Sequence, residues 1–236
     1  MNIKNLDKLE QSIGYDFKNK KLLSTALTHS SYTNEAKARG MVSESNERLE
    51  FLGDSVLSLI TTEHIFSAFP DVTEGELSKI RSCVVDSASL MEYSKTIGVG
   101  EFLLLGNGEL QNGGRNKKST LENVFEAIVA AIYLDGGYEK AKSFALPYII
   151  KRLSQADYEH DNIDYKTKLQ ILIQQGGKDE HFEYVTVLEY GPDHDKTFEV
   201  EARLNSNVIG RGKGHSKKLA EKQAAKDALK LFGIDK

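Results

Sequence analysis

Two short stretches carry acidic side chains where an ordinary helix would not place them. In residues 46–60 (NERLEFLGDSVLSLI), Glu47, Glu50 and Asp54 share one face at i, i+3 and i+7, beside a stripe of Leu49, Leu52, Val56, Leu59 and Ile60 expected to be buried. Like charges at those spacings repel by about a few tenths of a kcal/mol per pair, and Gly53 in mid-helix costs about 1 kcal/mol against Ala. Local propensity explains neither, whereas close approach of a backbone, an ion or a ligand explains the glycine. In the second stretch, residues 124–134 (VFEAIVAAIYL), Glu126 is the one charge in a helix that is otherwise apolar all round and therefore buried. A carboxylate there needs a cation, or its pKa rises and it takes a proton. Glu122 and Asn123, one turn earlier, can offer oxygen atoms to the same point. Two such helices crossing with these faces inward would set Glu50, Asp54, Asn123 and Glu126 around one hydrated divalent ion. Hard oxygen donors without His or Cys suit Mg²⁺ or Mn²⁺ rather than Zn²⁺. The alternative is a structural ion pair from Glu126 to Arg48, Arg81 or Lys118.

The elements that must position these groups follow from periodicity. The chain has 236 residues, 39% hydrophobic and 28% charged, with one cysteine and no tryptophan, enough for one or two domains. Up to about residue 153 the apolar positions recur at helical spacing, as in Leu22, Leu23, Ala26 and Leu27. Residues 153–164 lose that period and read as a linker. Beyond it come a helix at 166–175, alternating strands at 182–190 and 198–204, a short third strand at 207–210, and a helix at 216–231: an α-β-β-β-α unit. The organisation expected is a helical domain over 1–153, a linker over 154–161 and a small α+β domain over 162–236. Net charge is −4, so bulk electrostatics point to no polyanion, yet the last 32 residues hold 8 basic against 3 acidic side chains. Cys83 has no intrachain disulfide partner and reads as a core thiol in a reducing compartment. No window approaches the roughly 18 apolar residues of a membrane helix, and the expected setting is the cytoplasm.

The string NERLEFLGDSVL resembles the signature of bacterial ribonuclease III. With Glu126 in NVFEA, THSSY at residues 28–32 and the α-β-β-β-α tail, the likeness extends along nearly the whole chain. It implies an all-α endonuclease domain followed by a small α+β double-stranded-RNA-binding domain, acting as a homodimer that cuts RNA duplexes with Mg²⁺. By that resemblance Glu50, Asp54 and Glu126 are metal ligands and Glu47 is a further acidic site residue. The fourth ligand position, usually Asp, holds Asn123, which keeps a coordinating carbonyl but removes a charge. Phe51 is expected in a pocket of the partner subunit, against the plain reading of a core Phe. The resemblance also implies staggered ends bearing 5′-phosphate and 3′-hydroxyl groups, and a role in maturing rRNA and mRNA precursors. The competing reading is a catalytically silent duplex-RNA-binding protein with a vestigial nuclease fold, for which Asn123 is the encouragement.

Phosphodiester hydrolysis by a carboxylate-held dication needs no side-chain nucleophile, so His29, Ser30, Ser31 and Cys83 are read as structural or RNA-contacting. In the tail, Gln170 and Gln174 at i and i+4 present amides suited to 2′-hydroxyls, His194 sits in a turn between strands, and Ser216, Lys217 and Lys218 open a helix as a phosphate clamp. Ile171 stands where relatives often carry an acidic residue, which is expected to blunt part of that minor-groove contact. The loops GRGKGHS (210–216) and GGRNKKS (113–119) fit neither a dinucleotide fingerprint nor a P-loop, and no nucleotide cofactor is expected.

Overall fold

A computed structural model describes residues 6–70, 72–155, 165–176, 180–192 and 196–233. The expected linker lies mostly outside the described residues. The chain divides into two compact units, residues 1–64 with 81–152 and residues 65–80 with 153–236. The stretch 65–80, counted with the helical domain on the sequence, groups with the second unit.

The described elements up to residue 155 are helical: α1 (Leu6–Ile13), α2 (Lys20–Ala26), α3 (Ser30–Ala38), α4 (Glu47–Ala68), α5 (Glu74–Val84), α6 (Ser87–Ile97), α7 (Asn107–Gln111), α8 (Lys118–Gly136) and α9 (Tyr138–Gln155). In the first unit α8 packs against α2 and α6. It is buried as its composition requires: Leu121, Val124, Phe125 and every residue from Ala127 to Ile132 are almost wholly inaccessible. Phe125 anchors an aromatic cluster with Tyr93, Phe144 and Tyr148 at centroid distances of 5.3, 5.4 and 5.7 Å. Glu47 and Glu50 occupy the first turn of α4, where the helix dipole favours negative charge and offsets part of their mutual repulsion.

Gly53 explains how α4 meets α8. A Cβ at this position would stand 1.9 Å from the carbonyl oxygen of Glu126, so only glycine lets the two backbones approach. That contact also fixes which face of α4 turns inward: Leu49, Val56, Leu57 and Ile60 are buried, while Leu59, expected in the stripe, is 57% exposed. Leu59 lies six residues from Gly53, about 240° around the helix, and so points away from the contact. Cys83 is half-buried beside the Arg152 guanidinium, 3.4 Å away, rather than a sealed core thiol.

In the second unit, α10 (Tyr165–Gly176) and α11 (Lys217–Leu229) accompany an antiparallel sheet of order β1 (Phe182–Tyr190), β2 (Thr197–Leu204) and β3 (Asn207–Gly214). Asn205 and Ser206, both at positive φ, make the two-residue turn joining β2 to β3. Leu169, Ile173, Val200 and Ala202 form the core with Ala220, Ala224, Ala225, Ala228 and Leu229 of α11. The third strand is four residues longer than its sequence suggested. Its alternation is carried by Gly210, Gly212 and Gly214 instead of apolar side chains. A Cβ on Gly210 would lie 2.3 Å from Ala224 O, and one on Gly212 2.1 Å from Ala220 O. The glycine loop is therefore the seat of an alanine-faced helix.

Candidate functional site

The α4–α8 crossing opens onto a cavity of about 470 Å³ lined by Glu47, Glu50, Phe51, Asp54, Asn123 and Glu126, together with His29, Ser30 and Asn46. The structure thus brings together all the acidic residues expected at the site, and Asn123 with them. Glu126 is 9% exposed and has no hydrogen bond or ion pair among the described residues, so the structural pairing with Arg48, Arg81 or Lys118 is not realised. Burial first, then the charges of Asp54, Glu122 and Glu50, push its carboxyl up to about 8. Burial, Glu47 and Glu122 raise the half-buried Glu50, while the Asn123 amide beside it favours the ionised form. Glu47 is exposed and accepts the Ser45 hydroxyl at 2.8 Å. Glu122 does not line the cavity, and its carboxylate accepts the Ser87 hydroxyl at 2.7 Å.

The donor set fits a hard dication: carboxylate and amide oxygens around an acid that burial alone cannot keep charged. Among the described residues no three His, Cys, Asp or Glu side chains yet close on a single point, so binding requires these side chains to converge by rotation. Phe51 is 80% exposed, which excludes the core reading. Next to it lies a second cavity of about 940 Å³, with Leu22, Thr25, Leu49, Leu52 and Leu134 in its lining.

Of the expected RNA contacts, Gln174 is exposed and Gln170 half-buried on α10, and Lys217 and Lys218 are exposed at the start of α11. Ser216 caps that helix by accepting Leu219 N–H at 3.2 Å, and the Lys217 ammonium stands 5.9 Å from the centre of the Phe198 ring. His194 lies outside the described residues. Ile171 is buried and so presents no side chain to a ligand.

Sequence reasoning missed Asn46 as a lining residue and gave His29 no place beside the carboxylates. The pairing is tertiary: Thr28 bridges to Leu104, Leu104 N–H bonds Leu27 O, and Asn46 N–H bonds Thr28 O at 2.8 Å. The one local signal was the N-cap pattern of His29 ahead of α3, whose imidazole accepts Ser31 N–H.

Comparison with known proteins finds relatives along nearly the whole chain. Residues 19–153 match the family described as Ribonuclease-III-like, and residues 165–231 match the double-stranded RNA binding motif. A protein named Ribonuclease 3 from Lactococcus lactis subsp. cremoris is 43% identical over 224 residues, covering 95% of each chain. Another of that name from Borreliella burgdorferi is 46% identical over 231 residues, covering 96% of this chain and 91% of the relative. Among solved structures, the nuclease domain of ribonuclease III from Campylobacter jejuni superposes with a TM-score of 0.58 at 44% identity, covering 65% of this chain and 99% of that one. A second structure of that domain, 44% identical with a TM-score of 0.58 and covering 63% of this chain and 98% of that one, is described as flexible in a region involved in dimer formation.

Proposed function

Because the chain belongs to the ribonuclease III family and is an endoribonuclease of that type, acting on double-stranded RNA, we propose that Mg²⁺ held by Glu50, Asp54, Asn123 and Glu126 drives its cleavage of the duplex. The observation that carries this reading is Glu126: a buried carboxylate without a protein cation, facing the same cavity as three other acids. Such a group persists in a fold when its charge has a use.

When bound, the dication supplies an activated water and neutralises charge on the phosphate. Glu126, the most buried of the lining acids, would be the ligand whose charge is least screened by solvent. Glu50 and Asp54 on α4 complete the carboxylate set, and Asn123 contributes a neutral carbonyl. Exposed Glu47 would serve as a further acceptor for water at the site. Mn²⁺, with the same ligand preference, can substitute.

The exposed Phe51 and the adjacent 940 Å³ cavity support a homodimer in which each Phe51 enters the partner's cavity. A two-fold pair offers each strand of an antiparallel duplex an equivalent site, giving two cuts, one per protomer; the family resemblance adds staggered ends bearing 5′-phosphate and 3′-hydroxyl groups. Gln170, Gln174, His194, Lys217 and Lys218 hold the duplex by its 2′-hydroxyls and phosphates. Folded rRNA and mRNA precursors in the cytoplasm are the substrates in this reading. Among the described residues no helix is long and apolar enough to cross a membrane.

The test is incubation of the purified protein with a long RNA duplex. Cleavage that requires Mg²⁺ and stops with Glu126→Gln is the expected result. Tight binding without cleavage in Mg²⁺ or Mn²⁺ overturns it. Asn123→Asp, by restoring a charge, is expected to lower the Mg²⁺ concentration needed, and an unchanged or raised requirement removes Asn123 from the ligand set.

A further inference from the structure

The carboxylates that suit a dication repel the phosphate that must approach it. Glu47, Glu50, Asp54 and Glu126 all line the cavity, more negative charge than one dication cancels. A backbone phosphate entering there needs donors of its own, and the remaining lining supplies neutral ones. Asn46 is 3% exposed, faces the cavity and makes no side-chain hydrogen bond among the described residues. With no bond among the described residues, its side-chain amide is left open to a ligand that enters the cavity.

His29 is the second donor, and its hydrogen-bonding state is set by its surroundings. Ser31 N–H points at Nδ1 from 3.2 Å, so Nδ1 must be an acceptor and the ring proton must sit on Nε2. Ser31 Oγ, 2.9 Å from Nδ1, itself accepts Gly106 N–H at 2.9 Å. The backbone is equally fixed: His29 N–H bonds Leu104 O at 3.0 Å, beside the Thr28–Leu104 bridge. Gly106 is held close to Ser31, since a Cβ there would stand 2.8 Å from Ser31 O and 2.5 Å from Glu35 Oε1. The imidazole is thus clamped on its Nδ1 side, while Nε2–H has no partner among the described residues, and His29 is one of the residues that line the acidic cavity.

We propose that His29 Nε2–H and the Asn46 side-chain amide receive a nonbridging oxygen of the RNA phosphate at the cleavage site. The inference rests on the duplex-cleavage reading above, deepening it by naming what binds the substrate's phosphate. An imidazole N–H and a side-chain amide N–H suit the task because both can donate to an anionic phosphate oxygen.

His29→Asn isolates the donor. An Asn side-chain oxygen caps α3 as Nδ1 does, but nothing replaces Nε2–H. The full-length variant is expected to melt with wild type while its single-turnover cleavage of a saturating RNA duplex in Mg²⁺ falls about ten- to a hundredfold. Sulfur in place of one nonbridging oxygen of the scissile phosphate is a weak acceptor. It is expected to slow wild type more than His29→Asn in one of the two diastereomers, a difference a purely structural histidine does not produce. Wild-type rate with an undiminished sulfur effect overturns the inference alone. Failure of wild type to cut the duplex overturns the functional reading and the inference with it. Should His29→Asn lose its fold, Asn46→Ala keeps the main-chain links to Thr28 and Glu50 and is expected to show the same fall in rate and the same reduced sulfur effect; no change in either overturns the proposal.

Discussion

The α4–α8 crossing and the β3–α11 contact solve the same steric problem in opposite ways. In both, glycine lets one backbone come within reach of another: Gly53 under Glu126 O in the first unit, Gly210 and Gly212 under α11 in the second. Around β3 the space is then filled by Ala220, Ala224 and Ala228. Around Gly53 the approach leaves a cavity and a buried acid for which the fold supplies no cation among the described residues. A close contact that ends in well-packed methyl groups serves the fold, whereas one that ends in a buried acid without a partner serves chemistry.

The sharpest way to break the comparison is to add one methyl to each contact. Gly53→Ala drives a Cβ into Glu126 O, and neither backbone has a flexible group that can yield. The expected result is a loss of about 3 kcal/mol or more, a thermal midpoint lower by roughly 6–12 °C, and no detectable duplex cleavage. Gly212→Ala meets Ala220 O just as closely. Its damage is expected in duplex affinity, with cleavage at low salt surviving. Equal loss of cleavage in both variants, compared by calorimetry and a low-salt assay, removes the distinction.

Glu126→Gln acts on the same crossing with the opposite sign for stability. An ionised Glu126 is disfavoured where it lies, and its carboxyl pKa of about 8 means that the metal-free fold is progressively destabilised as pH rises from 4.5 through 8. A neutral amide of the same shape relieves this. In EDTA at pH 8 the variant is expected to melt several degrees higher than wild type, on the order of 1–3 kcal/mol, while losing cleavage. Added Mg²⁺ should raise the wild-type midpoint and leave that of Glu126→Gln nearly unmoved. A lower midpoint for the variant in EDTA counts against the buried charge as a cost.

The sequence showed this site more clearly than it showed the architecture around it. One acid in an apolar helix and one glycine in an acidic helix are local departures from propensity, and each marked a real contact. Asn46 and His29 break no local rule. They reach the cavity through the Thr28–Leu104 bridge, a pairing across 76 residues that no periodicity encodes. The length of β3 escaped notice for a related reason: alternation written in glycine looks like a loop until a helix of alanines is laid against it. The inward face of α4 was misjudged at Leu59 because hydrophobicity alone does not say which side of a helix its neighbour occupies.

A smaller effect separates charge used for binding from charge used for chemistry. Lys217 and Lys218 are exposed, and their role in holding RNA is proposed to be electrostatic. Replacing both by Ala is expected to weaken duplex binding across all sequences and to make the plot of log affinity against log salt shallower by up to about two, at roughly 0.9 for each phosphate no longer neutralised. The catalytic rate at saturating RNA should be untouched. An unchanged slope means that other side chains neutralise the phosphates.

The smallest expected effect lies on the sheet and tests the comparison through the sign of a titration. Glu201 on β2 is held by Arg203 at 2.8 Å and Arg211 at 3.1 Å. The Arg203 hydrogen bonds, together with the one from Arg211, outweigh desolvation and lower its pKa from 4.5. A depressed folded pKa contributes stability that is present above the unfolded value and is lost as pH falls through the folded one, the reverse of Glu126. Because these arginines reach solvent, the contribution is small and screened by salt. Glu201→Gln is therefore expected to speed amide exchange across β2 and β3 slightly at pH 7 and low salt, with the gap to wild type closing in acid. A gap that widens as pH falls from 7 to 3 means that Glu201, like Glu126, is charged against the preference of the fold, and the contrast between the two units fails at this point.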